Sequence, residues 1–109
     1  MVNIEDFMKL DIRVGTIIAA EIFVEAVKPA YKLKVDFGTN IGIKKSSAQI
    51  TDLYKVDDLI GKQVLGIVNL PSRQIANYIS EVLILGTYSE NGVVLITPDT
   101  EVRNGDKLG

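Results

Sequence analysis

The chain is predicted to fold as one all-β domain, a small closed barrel with short helices, and three observations carry that prediction. The first is alternation: Leu33, Val35 and Phe37 interleave with Lys32, Lys34 and Asp36, the period of two that turns one side of a strand to a core and the other to water. The second is punctuation. Lys28-Pro29, residues 38–40, Gly61, Pro71, Asn91-Gly92 and Asn104-Gly105 cut the chain into short apolar segments. The third is length: 109 residues suffice for one domain with a real core and are too few for two.

Asn3 is a good helix N-cap, and Ile4, Phe7 and Met8 follow at i, i+3, i+4 spacing, so one or two helical turns open the chain. A helix this short must pack on something to persist. From Leu10 the period becomes two, with Leu10, Ile12 and Val14 alternating with Asp11, Arg13 and Gly15, and the apolar stretch continues to Phe23. This is a long first strand, with Gly15 marking a bend or bulge. The second strand is the alternating segment around Lys32 to Phe37; after a turn, Ile41 and Ile43 begin a third strand running into SSAQIT. With both isoleucines facing inward, Lys44 falls on the outer face with Lys32 and Lys34.

Residues 52–61 hold a short helix, with Val56, Leu59 and Ile60 on one side and Gly61 as its stop. Residues 64–70 form a fourth strand ended by Pro71, and residues 82–87 a fifth; PSRQIANYIS between them reads as a polar loop with room for a helical turn. Asn91-Gly92 signals a hairpin joining the fifth strand to residues 93–97, and Asn104-Gly105 a second turn in the tail. Three strands, a short helix and two strands is the order of the five-stranded OB-fold Greek-key barrel, which binds oligomers on its strand 2–3 face. The barrel core is then about residues 10–88 of a single domain, with residues 1–9 and 89–109 as extensions.

Composition narrows the chemistry. Apolar residues make up 47% and charged residues 24% of the chain, an ordinary globular profile. There is no cysteine and no histidine, which removes disulfides, thiolate chemistry, and the commonest general base and metal ligand near neutral pH. No D-x-D-x-D-G loop is present, and Asp57-Asp58 reads as the solvent side of the short helix, so no metal site or cofactor is expected. No apolar run approaches the ~20 residues that span a bilayer, and the acidic, amphipathic start MVNIEDFMKLD is no secretory signal. A cytoplasmic setting is expected. The formal charge of −2 conceals segregation: residues 26–49 carry Lys28, Lys32, Lys34, Lys44 and Lys45 against Asp36 alone, net +4, so the rest carries −6. A basic patch on an acidic body is a docking surface for a polyanion.

Three segments together resemble one family. They are DFMKLDIRVGTIIAAEIF followed by EAVKPAYKLKVDFG, then IGIKKSSAQIT, then QVLGIVNLPSRQIANYISEVLILG. They resemble the CsaA family, a group within the tRNA-binding OB domains also appended to methionyl- and tyrosyl-tRNA synthetases. Appended members typically read Ser-Glu-Gly-Met where this chain has Ser80-Glu81-Val82-Leu83, and the family's common Asn-Phe-Pro-Pro stands here as Asn69-Leu70-Pro71-Ser72. The resemblance implies a homodimer, tRNA binding, and a chaperone role in protein export that holds unfolded polypeptide in an apolar cleft.

The polyanion-binding candidates are Lys32, Lys34 and Lys44 on the sheet face and Arg73 in the loop after strand four, where a guanidinium can grip a phosphate with two hydrogen bonds. Ser46, Ser47, Gln49, Asn69, Gln74 and Ser80 match family motif positions, as donors to sugar-phosphate or as hydroxyls satisfying backbone at a strand end. Tyr31 and Tyr78 flank the face as base-stacking or cleft residues, with Leu70 as a cleft residue. Ile4, Phe7 and Met8, with Val93 and Leu95 of the added hairpin, give apolar stripes to a barrel that already has a core, and a twofold dimer is the simplest way to cover them. A Ser46/Ser47 nucleophile beside Lys44 and Lys45 lacks an oxyanion loop and an orienting third group, so no catalytic residue and no enzyme are expected. The leading expectation is a homodimeric chaperone for export-destined polypeptides that also binds tRNA. The alternative is a stand-alone, structure-specific tRNA-binding protein.

Overall fold

The computed structural model describes residues 1–109. In chain order its elements are α1 (Ile4–Met8), β1 (Ile12–Ile22), β2 (Tyr31–Asp36), β3 (Ile43–Ala48), α2 (Val56–Leu59), β4 (Gln63–Ile67), β5 (Arg73–Ile75), β6 (Tyr78–Ser80), β7 (Leu83–Ile84), β8 (Gly86–Ser89) and β9 (Gly92–Leu95). The long β1 is the hub. Its first half pairs with β4 and its second with β2, and the antiparallel sheet runs β3-β2-β1-β4-β7. This is the expected nearly closed five-stranded barrel of OB type.

The barrel closes through side chains more than through a ladder. The free edge of β3 meets residues 80–82: the Glu81 N–H donates to the Lys45 carbonyl at 2.8 Å, and the Lys45 N–H donates to Glu81 Oε1 at 3.0 Å. The Ser47 N–H donates to Ser80 Oγ at 3.0 Å, and Ser46 Oγ donates to the Val82 carbonyl at 3.1 Å. Ser46 is therefore an interior residue, 1% exposed, and its place among RNA-contacting hydroxyls is corrected.

The main core gathers Ile17, Leu33, Val35, Phe37, Leu59 and Val64. Phe37 rests on two glycines. A Cβ at Gly15 would lie 2.8 Å from Phe37 Cδ1, and one at Gly66 would lie 3.0 Å from Phe37 Cζ. Gly15 thus serves close packing, and the bulge lies beyond it, where the β1–β2 register slips between Ile17 and Ala19. Tyr31 also belongs to this core; its hydroxyl donates to the Tyr54 carbonyl at 2.6 Å, so it is no stacking platform. Leu95 is 4% exposed in the same core, so it packs within its own chain and not on a partner.

A second apolar cluster, Ile12, Val14, Leu65 and Ile67, lies across β1 and β4 and is lined by Phe7, Leu85, Ile96 and Val102. Both terminal segments converge there. Asn3 caps α1 in a capping box with Asp6. Asn69 anchors the chain that follows it: Oδ1 accepts the Asp11 N–H and Nδ2 donates to the Lys9 carbonyl, each at 2.9 Å. The tail runs beside the start of β1, the Gly105 N–H donating to the Val14 carbonyl at 2.7 Å and the Leu108 N–H to the Ile12 carbonyl at 2.9 Å.

PSRQIANYIS is not a polar loop with a helical turn but the β5–β6 hairpin, with Ile75 opposite Tyr78 across the two residues Ala76-Asn77. Ala76 takes φ +51°, a left-handed conformation that glycine or asparagine usually occupies, so the composition gave no turn signal. The fifth strand shortens to β7, and β8 leaves to pair with β9 around Glu90-Asn91, one residue earlier than the Asn91-Gly92 pair suggests. No helix is long and apolar enough to cross a membrane.

Candidate nucleic-acid interface

The outer face of β2 and β3 follows from parity. Tyr31, Leu33 and Val35 point into the barrel, so Lys32 and Lys34 point out. Across the hairpin, Lys32 faces Ser47 and Lys34 faces Lys45, while Lys44 pairs with inward-pointing Val35. Lys44 is therefore on the barrel side of its strand, half-exposed, and Lys45 takes the outer position expected for Lys44. The inward set of β3 is Ser46 and Ala48, continued by Ile50; Ile43 is 57% exposed.

Lys34 and Lys45 thus sit directly opposite each other, and neither has an ion-pair partner; the three ion pairs are Lys9–Asp6, Arg13–Asp11 and Lys32–Glu25, the last at 3.8 Å. Like charges opposite one another on a sheet are destabilising. A fold keeps such a pair at a cost, and a bound anion removes the cost.

The β5–β6 hairpin folds over this face. Tyr78 Oη donates to the Leu33 carbonyl at 3.0 Å, and its ring meets Phe23 edge-on with centroids 5.6 Å apart. Burial pushes the Tyr78 phenol above its ordinary value, and the Glu21 and Glu81 carboxylates push it the same way, so it stays neutral and donates. Arg73 is exposed at the start of β5, without a salt bridge, at the rim of a groove of about 130 Å³. Leu70, Pro71, Ile75 and Leu83 give that groove an apolar wall, and Ser47 connects it to the lysine face.

The structure brings together Lys32, Lys34, Ser47, Arg73, Ser80, Leu70 and Tyr78, although Ser80 Oγ is engaged in barrel closure. It does not bring the others there. Asn69 is occupied at both ends of its amide by α1's exit, and Gln74 donates to the Ala76 carbonyl at 3.1 Å within its own hairpin. Gln49 lines a different, polar groove of about 400 Å³ with Lys28, Thr51, Asp52 and Tyr88. Of the terminal apolar residues, Ile4 and Met8 are exposed, 68% and 58%, whereas Phe7 and Val93 are half-buried against the two clusters. Lys45 is the member of the face that the forward alternation misses; Phe23, 3% exposed, is a core residue whose ring meets Tyr78. Counting parity backward from Ala48 and Ile50, instead of forward from Ile41, finds Lys45.

Residues 12–107 match the family described as "Putative tRNA binding domain". The fold superimposes on the CsaA chaperone protein of Picrophilus torridus with a TM-score of 0.96 and 55% identity over 100% of both chains. For chaperone CsaA of Bacillus anthracis the TM-score is 0.94, with 49% identity over 100% of this chain and 99% of that one. The methionine–tRNA ligase of Parabacteroides distasonis is 37% identical over 98% of this chain, which spans only 16% of that protein's length.

Proposed function

This chain belongs to the tRNA-binding domain family and, within it, to the CsaA family, and from that premise we propose that it binds tRNA through the outer face of β2 and β3. The observation that carries the reading is the unpaired lysine couple, Lys34 opposite Lys45, with Lys32 beside it and Arg73 free on the hairpin above. Three cations on a strand surface and one on a mobile-length side chain at the rim suit a phosphate backbone whose path, more than its base sequence, is recognised. Glu21, Glu25 and Glu81 border the same face. They limit non-specific adhesion of polyanions.

The same protein acts, in this proposal, as a homodimeric chaperone for unfolded, export-destined polypeptide in the cytoplasm, and it has no catalytic activity of its own. The groove walled by Leu70, Pro71, Ile75 and Leu83 supports the polypeptide part, since it offers an apolar recess to an extended segment. Exposed Ile4 and Met8 on α1 support the dimer. A chain with no histidine and no cysteine supports the absence of catalysis.

The test is a side-by-side titration of bulk tRNA and an unfolded client at two salt concentrations, with wild type and Lys32→Glu/Lys34→Glu. Charge reversal should abolish tRNA binding, whose affinity falls with salt by roughly 0.7–0.9 log units per log unit of salt for each phosphate contacted. Client protection should survive it. Unchanged tRNA binding in the reversed variant sinks the basic-face assignment.

A further inference from the structure

Lys32 and Lys45 are not register partners; Lys32 lies opposite Ser47 and Lys45 opposite Lys34. Their ammonium groups nevertheless converge on one ring, Lys32 Nζ at 5.3 Å and Lys45 Nζ at 5.2 Å from the Tyr78 centroid. Both distances are within the ~6 Å over which a ring quadrupole attracts a cation. The ring itself is fixed, by its hydroxyl on the Leu33 carbonyl and by the edge contact with Phe23, which is buried and lies 5.0 Å from Lys32 Nζ as well.

We propose that Tyr78 is the positioning residue of a phosphodiester subsite, gathering the Lys32 and Lys45 ammonium groups for one phosphate of bound RNA instead of stacking on a base. The proposal rests on the tRNA reading above and adds what holds the cations. A lysine that grips a phosphate gives up rotamer freedom on binding; one already held over a ring has given up part of it beforehand. The electron-rich ring also offsets the repulsion between the two cations until an anion arrives to do so. Glu25, 3.8 Å from Lys32 Nζ, is the group that such an anion displaces.

Two variants separate the ring from its hydroxyl. Tyr78→Phe keeps the quadrupole and loses the bond to Leu33; Tyr78→Leu loses both. Bulk tRNA affinity should stay within about 2-fold of wild type in Tyr78→Phe and fall about 5- to 20-fold in Tyr78→Leu. The ε-methylene protons of Lys32 and Lys45 should resonate upfield in free wild type and Tyr78→Phe, and return to ordinary lysine positions in Tyr78→Leu. A folded Tyr78→Leu that binds as wild type overturns the proposal, as does a Tyr78→Phe as weak as Tyr78→Leu. Should Tyr78→Leu fail to fold, wild type still decides, because unshifted ε protons on both lysines overturn it. If wild type binds no tRNA, the RNA reading fails separately. Titration with inorganic pyrophosphate, followed on the same ε resonances, then tests the subsite by itself: shifts in wild type and Tyr78→Phe support it, and none in either overturns it.

Discussion

Replacing Lys34 by glutamine should move stability and binding in opposite directions. Lys34 is exposed, lies opposite Lys45, and holds neither an ion pair nor a ring, so the change removes a repulsion and leaves the cations over Tyr78 in place. Relief of a like-charge cross-strand pair is worth about 0.2–1 kcal/mol, which for a domain near this size raises Tm by about 1–4 °C. Loss of one phosphate contact removes about 0.9 from the salt slope, so the affinity deficit is about 15-fold at 50 mM salt and shrinks to about 4-fold at 200 mM. Calorimetry or thermal melting reads the first quantity, and fluorescence titration with bulk tRNA at both salts reads the second. A deficit equal at both salts would show that Lys34 does not touch a phosphate. A lower Tm would show that the two lysines are not working against each other.

Three further outcomes follow from local geometry. The Tyr78 phenol is held above its ordinary value of 10.0, chiefly by burial; its neutral form therefore stabilises the fold below that value, and the contribution is lost as pH rises through the elevated one. Tyrosinate absorbance should lose a late-titrating phenol in Tyr78→Phe, and an unchanged late phase in that variant would refute the assignment. Gly15→Ala places a Cβ 2.6 Å from Val35 Cγ1 and 2.8 Å from Phe37 Cδ1, an overpacking that costs about 1–3 kcal/mol in denaturant unfolding; adding Phe37→Leu should recover part of it. Asn69→Ala deletes the bonds to Lys9 and Asp11 and should cost about 1–2 kcal/mol while speeding proteolysis ahead of Asp11. Weaker tRNA binding with unchanged stability would instead make Asn69 a contact.

The sequence made the barrel legible because its inward residues are branched and aromatic wherever alternation is regular, as in Leu33, Val35 and Phe37. It was misleading where a polar residue carries a structural task. Ser46 lies inside although its hydroxyl reads as a surface group; Glu81 stands in for a backbone acceptor on the β3 edge; Ser80 bonds the Ser47 N–H. Such closures join residues more than thirty positions apart, and nothing local announces them. The β5–β6 hairpin lacks a sequence signal for a different reason: its turn places alanine in a left-handed conformation that glycine usually marks. That hairpin is what puts Arg73 and Tyr78 over the lysines.

One irregularity explains why a single sheet can be greasy at one end and charged at the other. Before it, β1 turns Ile12 and Val14 outward and Gly15 and Ile17 inward. Ile18 is the extra residue: Ile17 pairs with Val35 and Ala19 already with Lys34, so parity changes there. Beyond it Ala20 packs on the core, while Ala19 and Glu21 face outward beside Lys34 and Lys32. Strict alternation would have carried Ala19 and Glu21 into the barrel, burying a carboxylate without a cationic partner, which folding does not tolerate. The bulge therefore divides the outer surface in two. One half is apolar and is covered by α1, the added hairpin and the tail; the other is ionic, and the β5–β6 hairpin that folds over it leaves Lys34 exposed and adds the exposed Arg73, so its cations stay open to a polyanion.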